Sequence, residues 1–292
     1  MICSICPRNC RCDRSDPSAA YCGCGTVPFV AKTMLHRWEE PCISGTAGTG
    51  AVFFSGCNLR CLFCQNHSIL SGREGHKTDP EQLADLFLSL AGQGAHSISL
   101  ITPTPHIPSV RKALLSAKKQ GLSVPVIYNT GSYERPESLR ALEGLVDLYL
   151  PDWKYLSPAL SKRFSGAEDY GAAADAAIRE MFRQTGHLVV SPESGLAERG
   201  VLIRHLVLPG CVHDTRAILD RILEEYGPGT ALSLMRQYAP ACDSLPAPLD
   251  RKLTAREYER AVAYVISLGF TRVYIQEPGC EDLSYTPDFS PS

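Results

Sequence analysis

Between Gly56 and Asn66 three cysteines, Cys57, Cys61 and Cys64, stand at C-x3-C-x2-C spacing. Three thiolates so close together can hold three corners of a cubane iron–sulfur cluster and leave the fourth iron without a protein ligand. Electron-transfer clusters take four cysteines, so this loop leaves room for something other than protein to complete the shell. An open iron is a chemical site. The competing reading is a zinc loop or three unrelated buried thiols. A second group, Cys3, Cys6, Cys10, Cys12, Cys22 and Cys24, lies upstream. Cys3, Cys6, Cys10 and Cys22 supply four thiolates, enough for a structural zinc or an auxiliary iron–sulfur cluster. Pro7 and Gly23-Cys24-Gly25 suit the tight turns of a metal knuckle. The alternative is a reduced cysteine-rich tail, and the choice of ligands among Cys10, Cys12, Cys22 and Cys24 stays open.

Apolar runs alternate with amphipathic stretches around these loops, as in a parallel βα series. The pattern predicts strands at Ala51 to Ser55, Ser97 to Ile101, Val124 to Tyr128, Val146 to Leu150, Val201 to Leu208 and Leu232 to Met235. Helices are expected near Pro80 to Ala91, Pro108 to Gln120, Pro136 to Glu143, Tyr170 to Thr185 and Asp214 to Tyr226. A last helix near Ala255 to Leu268 precedes a strand at Arg272 to Gln276. Six βα units fall short of the eight of a closed barrel. The reading is an α/β chain: a partial (β/α)6 TIM-like barrel over 46–292, with the cysteine loop at the C-terminal end of its first strand. Residues 1–45 form a small cysteine-rich metal-binding extension and connector. The Pro/Ser-rich end after Tyr285 reads as a loose tail.

Composition narrows the function classes. Thirteen cysteines, an odd number with only Cys211, Cys242 and Cys280 beyond position 64, are not a disulfide framework. The N-terminus has no charged segment followed by an apolar one, and no apolar run reaches membrane-spanning length. A soluble, reducing, cytoplasmic setting is expected. Formal net charge is −2 without a long basic block, so no nucleic-acid footprint is visible.

Several strand-end segments now match one family in order. From about Gly50 onward the chain resembles the pyruvate formate-lyase activating enzyme branch of the radical S-adenosylmethionine (SAM) superfamily. It is closer still to that branch's homologues with an N-terminal cysteine-rich extension. The resemblance is carried by Trp38-Glu39-Glu40-Pro41-Cys42-Ile43-Ser44-Gly45, Phe53-Phe54-Ser55-Gly56-Cys57, Cys64-Gln65-Asn66, Tyr128-Asn129-Thr130-Gly131, Leu150-Pro151-Asp152-Trp153-Lys154 and Ile203-Arg204-His205-Leu206-Val207-Leu208-Pro209-Gly210. Phe63, before the third cysteine, fits the cluster signature.

The resemblance implies that Cys57, Cys61 and Cys64 hold a [4Fe–4S] cluster and that SAM binds its open iron through amino and carboxylate groups. SAM would be cleaved reductively to methionine and a 5′-deoxyadenosyl radical, making the chain a radical SAM oxidoreductase. The protein's task would be to set potential, hold SAM and shield the radical; Leu59, Leu62 and Phe63 are expected to tune the cluster or simply to pack. Asp152 and Lys154 correspond to a D-x-K element beside SAM and substrate, and two positions apart on extended backbone they point the same way. A surface ion pair is the competing reading. Arg204 corresponds to a SAM-proximal arginine, or serves a structural salt bridge. Thr102 and Thr104 stand where relatives carry a glycine-glycine-glutamate element for the SAM amino group, and Asn129 and Thr130 where they carry Asp-Thr-Asn-Gly, with Tyr128 replacing the aspartate. Gln237 and Tyr238 are expected at the sixth strand's mouth by position. His106 either caps the following helix or touches ligand, while His36, His67 and His205 default to packing or surface roles. Trp38, Glu39, Glu40 and Cys42 read as connector residues. The implied partners are a glycyl radical enzyme as protein substrate and a flavodoxin or ferredoxin-type reductant. Modification of a small metabolite or peptide is the alternative, and a non-enzymatic iron–sulfur electron-transfer protein a third reading.

Overall fold

The computed structural model describes residues 2–240, 244–280 and 287–289; Cys242 lies outside them. Its strands are Phe29–His36 (β1), Thr49–Phe54 (β2), His76–Lys77 (β3), Ile98–Ile101 (β4), Val126–Thr130 (β5), Leu148–Pro151 (β6), Val189–Val190 (β7), Ala197–Leu206 (β8), Ala231–Met235 (β9) and Val273–Ile275 (β10). Helices are Pro41–Ser44 (α1), Pro80–Gly92 (α2), Ile107–Lys119 (α3), Pro136–Arg140 (α4), Pro158–Ser165 (α5), Tyr170–Thr185 (α6), Val212–Tyr226 (α7) and Ala255–Ser267 (α8).

Strands β2, β4, β5, β6 and β9 are buried at every position. A strand with no solvent face belongs to a sheet covered on both sides, the habit of parallel sheets with crossover helices. Accordingly β2, β4, β5, β6, β8, β9 and β10 pair parallel in that order. The order continues from β2 to β1 and β3, both joined antiparallel. It runs from β10 to β3 without closing, so the structure is a partial barrel. The predicted strand series and crossover helices are all found.

Local chemistry fixes the helix starts. Asp79 and Thr254 each form a reciprocal capping box, with Gln82 and Glu257 respectively. Proline opens α2, α4 and α5, where its missing N–H costs nothing. From α2, Leu83, Ala84 and Phe87 go fully under the sheet; a side chain the size of Phe87 contributes about 1.5–3 kcal/mol by leaving water.

Three differences from the sequence reading matter. β1 lies in the stretch assigned to the extension, yet it pairs with all of β2 from Thr49 to Phe54 and so belongs to the barrel. The β6-to-β8 crossover carries an extra helix, α5, capped by the Ser157 hydroxyl and ended by Gly166 at φ 62. The tail is not loose throughout: the Phe289 ring packs edge-on against Phe53 at 5.3 Å. Among the described residues, no helix is long and apolar enough to cross a membrane.

Candidate active site

Parallel register brings the strand ends together. Phe53 pairs with Ile101, Ile101 with Asn129 and Thr130 with Pro151, and an isolated bridge joins Asp152 to Arg204. The C-terminal ends of β2, β4, β5, β6 and β8 therefore converge on one cleft of about 230 Å³. All three loop cysteines, Cys57, Cys61 and Cys64, line it, facing Asp152, Lys154 and Arg204. Thr102, Asn129, Thr130, Gln237 and Phe63 also contribute to its wall. C-terminal strand ends are where barrel enzymes place their chemistry.

Charge in the cleft is organised as a chain. Arg204 Nε donates to Asp152 Oδ1 at 2.8 Å, Nη1 to Glu39 Oε2 at 3.0 Å and Nη2 to Asn129 Oδ1 at 2.7 Å. Asn129 Nδ2 returns a bond to Glu39 Oε1 at 3.1 Å, and Lys154 Nζ donates to Asp152 Oδ2 at 2.7 Å. Burial alone would raise the Asp152 carboxyl, but Arg204 and then Lys154 outweigh it and hold it below its ordinary value. Burial would likewise lower Lys154, and Asp152 reverses that. Asp152, Lys154 and Arg204 stay ionised. The D-x-K pair is thus part of a partly buried array and not a surface ion pair.

The cysteine loop is held by its surroundings. Leu62 N donates to Phe164 O at 2.9 Å and Ser165 Oγ to Cys61 Sγ at 3.0 Å, both from the end of α5. Gly56 has φ +87, and a Cβ there would meet Cys24 Sγ at 2.1 Å, so only glycine lets the extension approach the loop this closely. Burial pushes Cys57 up and Cys64 up to about 12, with the neighbouring Cys61 adding to both. Metal binding must displace those protons.

Two expected residues do not line the cleft. Thr104 is buried beneath it, its hydroxyl donating to Glu134 Oε1 at 2.5 Å. Tyr238 packs behind Phe63 with ring centroids 6.2 Å apart, its hydroxyl donating to the Leu249 carbonyl. Thr130 reaches the cleft wall, but its hydroxyl also serves Glu134, at 2.6 Å. Tyr128 OH is a third donor to the same oxygen, at 3.2 Å. Glu134 is a buried carboxyl that the sequence reading missed, and burial raises it to about 7 against these donors. Leu62 is 41% exposed and cannot insulate the loop as Leu59 and Phe63 can. His106 neither caps α3 with its side chain nor lines the cleft; its Nε2 lies 3.0 Å from the Ser55 carbonyl. His205 is a packing residue between Trp153 O and Thr215 Oγ1. Thr102 holds φ 56, a left-handed conformation costing a β-branched residue about 1–3 kcal/mol at the edge of the cleft.

The missed residue of most consequence is Glu39, read as a connector. It follows β1 and reaches the cleft because β1 pairs beside β2. Upstream, Cys3, Cys10 and Cys12 bring their sulfur atoms within 4.8 Å of one another. Cys6 and Cys22 line a small cavity next to Cys3 and Cys10.

The chain is similar to several known proteins. An uncharacterized protein of Methanocaldococcus jannaschii is 27% identical over 284 residues, covering 93% of this chain and 76% of that protein. The SAM-bound crystal structure of SuiB from Streptococcus suis matches 77% of this chain and 49% of its own, with a TM-score of 0.51 and 14% identity. The FeFe-hydrogenase maturase HydG from Carboxydothermus hydrogenoformans matches 76% of this chain and 52% of its own, with a TM-score of 0.51 and 14% identity. The chain spans about half the length of these two solved structures, which share its fold. The family model described as Radical SAM superfamily matches residues 51–204, more than half of the chain and the span from β2 to Arg204. With the three-cysteine loop at the mouth of a partial barrel, the chain belongs to the radical SAM superfamily, whose members use a [4Fe–4S] cluster and SAM.

Proposed function

We propose that this protein is an oxidoreductase that cleaves SAM reductively and uses the resulting radical to take a hydrogen atom from a backbone glycine of a partner protein. The observation that carries the SAM part is the facing of three loop thiols, with no fourth cysteine among the described cleft residues, by the Glu39–Arg204–Asp152–Lys154 array. When bound, a reduced [4Fe–4S] cluster supplies the electron that breaks the SAM carbon–sulfur bond, giving methionine and a 5′-deoxyadenosyl radical.

The chain's own part is to bind and orient. Cys57, Cys61 and Cys64 hold the cluster, and the fit is chemical: soft thiols, none in a disulfide, on one wall of the cleft. Lys154 and Arg204 place two cations where a carboxylate can be received, and Asp152 and Glu39 place two anions where an ammonium can. Each is pinned by another member, so little side-chain entropy remains to be lost on binding. Leu59 and Phe63, both buried, exclude water from the cysteine loop. A flavodoxin or ferredoxin-type protein is the proposed electron donor.

The glycine substrate is supported by the open sheet. Because the strand order does not close, the cleft can be reached from the side, and a loop of a folded partner fits such an approach better than an enclosed barrel mouth. A second cavity of about 250 Å³ shares the Trp38, Glu39, Arg204, Met235 and Gln237 walls. That neighbour favours a second reading, in which a small metabolite or peptide is the substrate. Electron paramagnetic resonance of the reconstituted protein with SAM, reductant and a co-encoded glycyl radical enzyme should show a glycine-centred doublet, with substrate hydrogen recovered in 5′-deoxyadenosine. Deuterium arriving only from a labelled small molecule would replace the first reading by the second.

A further inference from the structure

The extension's cysteines are grouped quite differently from those of the cleft. Cys3, Cys10 and Cys12 place all three sulfurs within 4.8 Å of one another, and Cys10 Sγ lies 3.4 Å from Cys12 Sγ. Thiolates on one tetrahedral zinc, at Zn–S distances of ~2.3 Å, stand roughly 3.8 Å apart. A cubane cluster binds each cysteine at a separate iron and spreads its ligands wider. Cys57, Cys61 and Cys64 form no such tight group.

The backbone is shaped around the same three residues. Cys3 N donates to Cys12 O at 2.9 Å and Arg11 N to Cys3 O at 3.1 Å. Cys10 is flanked by Asn9 at φ 43 and Arg11 at φ 51, two non-glycine residues in the left-handed region. That conformation is held only where surrounding interactions outweigh its strain. Cys3 and Cys12 are buried, in a segment with few large apolar residues to hold it together. Cys6 and Cys22 both line the cavity shared with Cys3 and Cys10; the Asn58 side chain engages Cys6 and Cys24 engages Cys22, and Cys22 stands near enough to Cys12 for its charge to act on that thiol.

We propose that Cys3, Cys10 and Cys12, with Cys22 as fourth ligand, bind a single zinc ion, and that this ion holds Arg8 against the cluster loop. Arg8 lies inside the knuckle. Its guanidinium stacks over Tyr21 at 4.0 Å and Tyr133 at 5.1 Å. It donates to the carbonyls of Asn58 at 2.8 Å, Ser165 at 3.2 Å and Gly166 at 2.5 Å. Asn58 directly follows Cys57, and the Ser165 hydroxyl contacts Cys61. Arg8 is therefore a positioning residue for the cysteine loop, and the zinc knot fixes its position.

Metal analysis separates the two centres. The full chain with Cys57→Ala, Cys61→Ala and Cys64→Ala, purified anaerobically, should retain about one zinc per chain and no iron. Adding Cys12→Ser or Cys22→Ser should remove the zinc, while Cys24→Ser should not. Loss of the ion can itself unfold the extension, so cobalt substitution in the triple variant provides a second readout. The expected spectrum has strong sulfur-to-cobalt charge-transfer bands and the visible bands of tetrahedral cobalt. Iron with sulfide in the triple variant, iron without sulfide, absence of metal, or an octahedral cobalt spectrum each overturns the proposal. Zinc lost with Cys24→Ser but kept with Cys22→Ser overturns the ligand set.

Discussion

Arg204 donates to Glu39 at 3.0 Å although 165 residues separate them, tying the segment after β1 to the end of β8 across the cleft. Side-chain exposure is 13% for Arg204 and 9% for Glu39, so the pair is largely shielded from solvent and salt. Removing one partner leaves a charge short of a hydrogen bond in a poorly hydrated place.

Glu39→Ala should therefore cost about 1–3 kcal/mol of stability, since Asp152 still pairs with Arg204. The same change releases Asn129 and lets the guanidinium swing, so SAM affinity should fall by about tenfold, or ~1.4 kcal/mol. Equilibrium binding of SAM to reconstituted protein checks this, with the cluster absorbance as control. Unaltered SAM affinity in a folded variant would return Glu39 to a connector role.

The cysteine loop makes the sharpest demand. Any one of Cys57→Ala, Cys61→Ala and Cys64→Ala should abolish 5′-deoxyadenosine formation, because the other two thiols cannot hold a cubane at three corners. Wild-type rates of SAM cleavage in the triple variant would end the assignment.

Those cysteines, the parallel strand series and the crossover helices were readable because each is a local pattern: spacing, unbroken apolar runs, capped amphipathic stretches. Asp152 and Lys154 were readable for the same reason, two positions apart at a strand end. Glu39 was not, because its role depends on β1 pairing antiparallel beside β2, a tertiary event with no local signature in a mixed stretch such as Phe29–His36. Thr104 and Tyr238 were misplaced for a related reason. A strand-end hydroxyl was taken to face ligand, but Glu134, thirty residues beyond Thr104, is a buried acceptor that claims Thr104, Thr130 and Tyr128 together. Six upstream thiols could not be sorted by spacing alone, since Cys12 joins Cys3 only after the turn at Asn9 and Arg11 folds the chain back.

Lys154→Ala should leave the cluster absorbance intact and weaken SAM binding or uncouple cleavage from hydrogen abstraction. Its ammonium faces the cleft and bonds Asp152 at 2.7 Å, with Arg204 left to neutralise the carboxylate. The fold should lose no more than about 1–3 kcal/mol. Normal turnover with a large loss of stability would make the pair structural.

Glu134 gives the chain a predictable pH response. Burial, the largest influence, opposed by the Thr104, Thr130 and Tyr128 hydroxyls, raises it from 4.5 to about 7 in the folded state. Between those values the unfolded chain has released the proton and the folded chain keeps it, so the group's contribution is full below pH 4.5 and is lost as pH rises toward 7. A shift of this size corresponds to about 3 kcal/mol. His106 acts in the opposite direction: burial lowers it from 6.5 to about 4, so its contribution is lost as pH falls through that interval. The two slopes offset each other in the wild type, which makes the difference from a Glu134→Gln variant the informative quantity. The amide keeps an acceptor for the three hydroxyls but cannot ionise. Denaturant unfolding at pH 5 and pH 8 should show the variant gaining about 2–3 kcal/mol on the wild type as pH rises. A difference that stays constant with pH, or shrinks, would mean that Glu134 does not hold its proton in the folded protein.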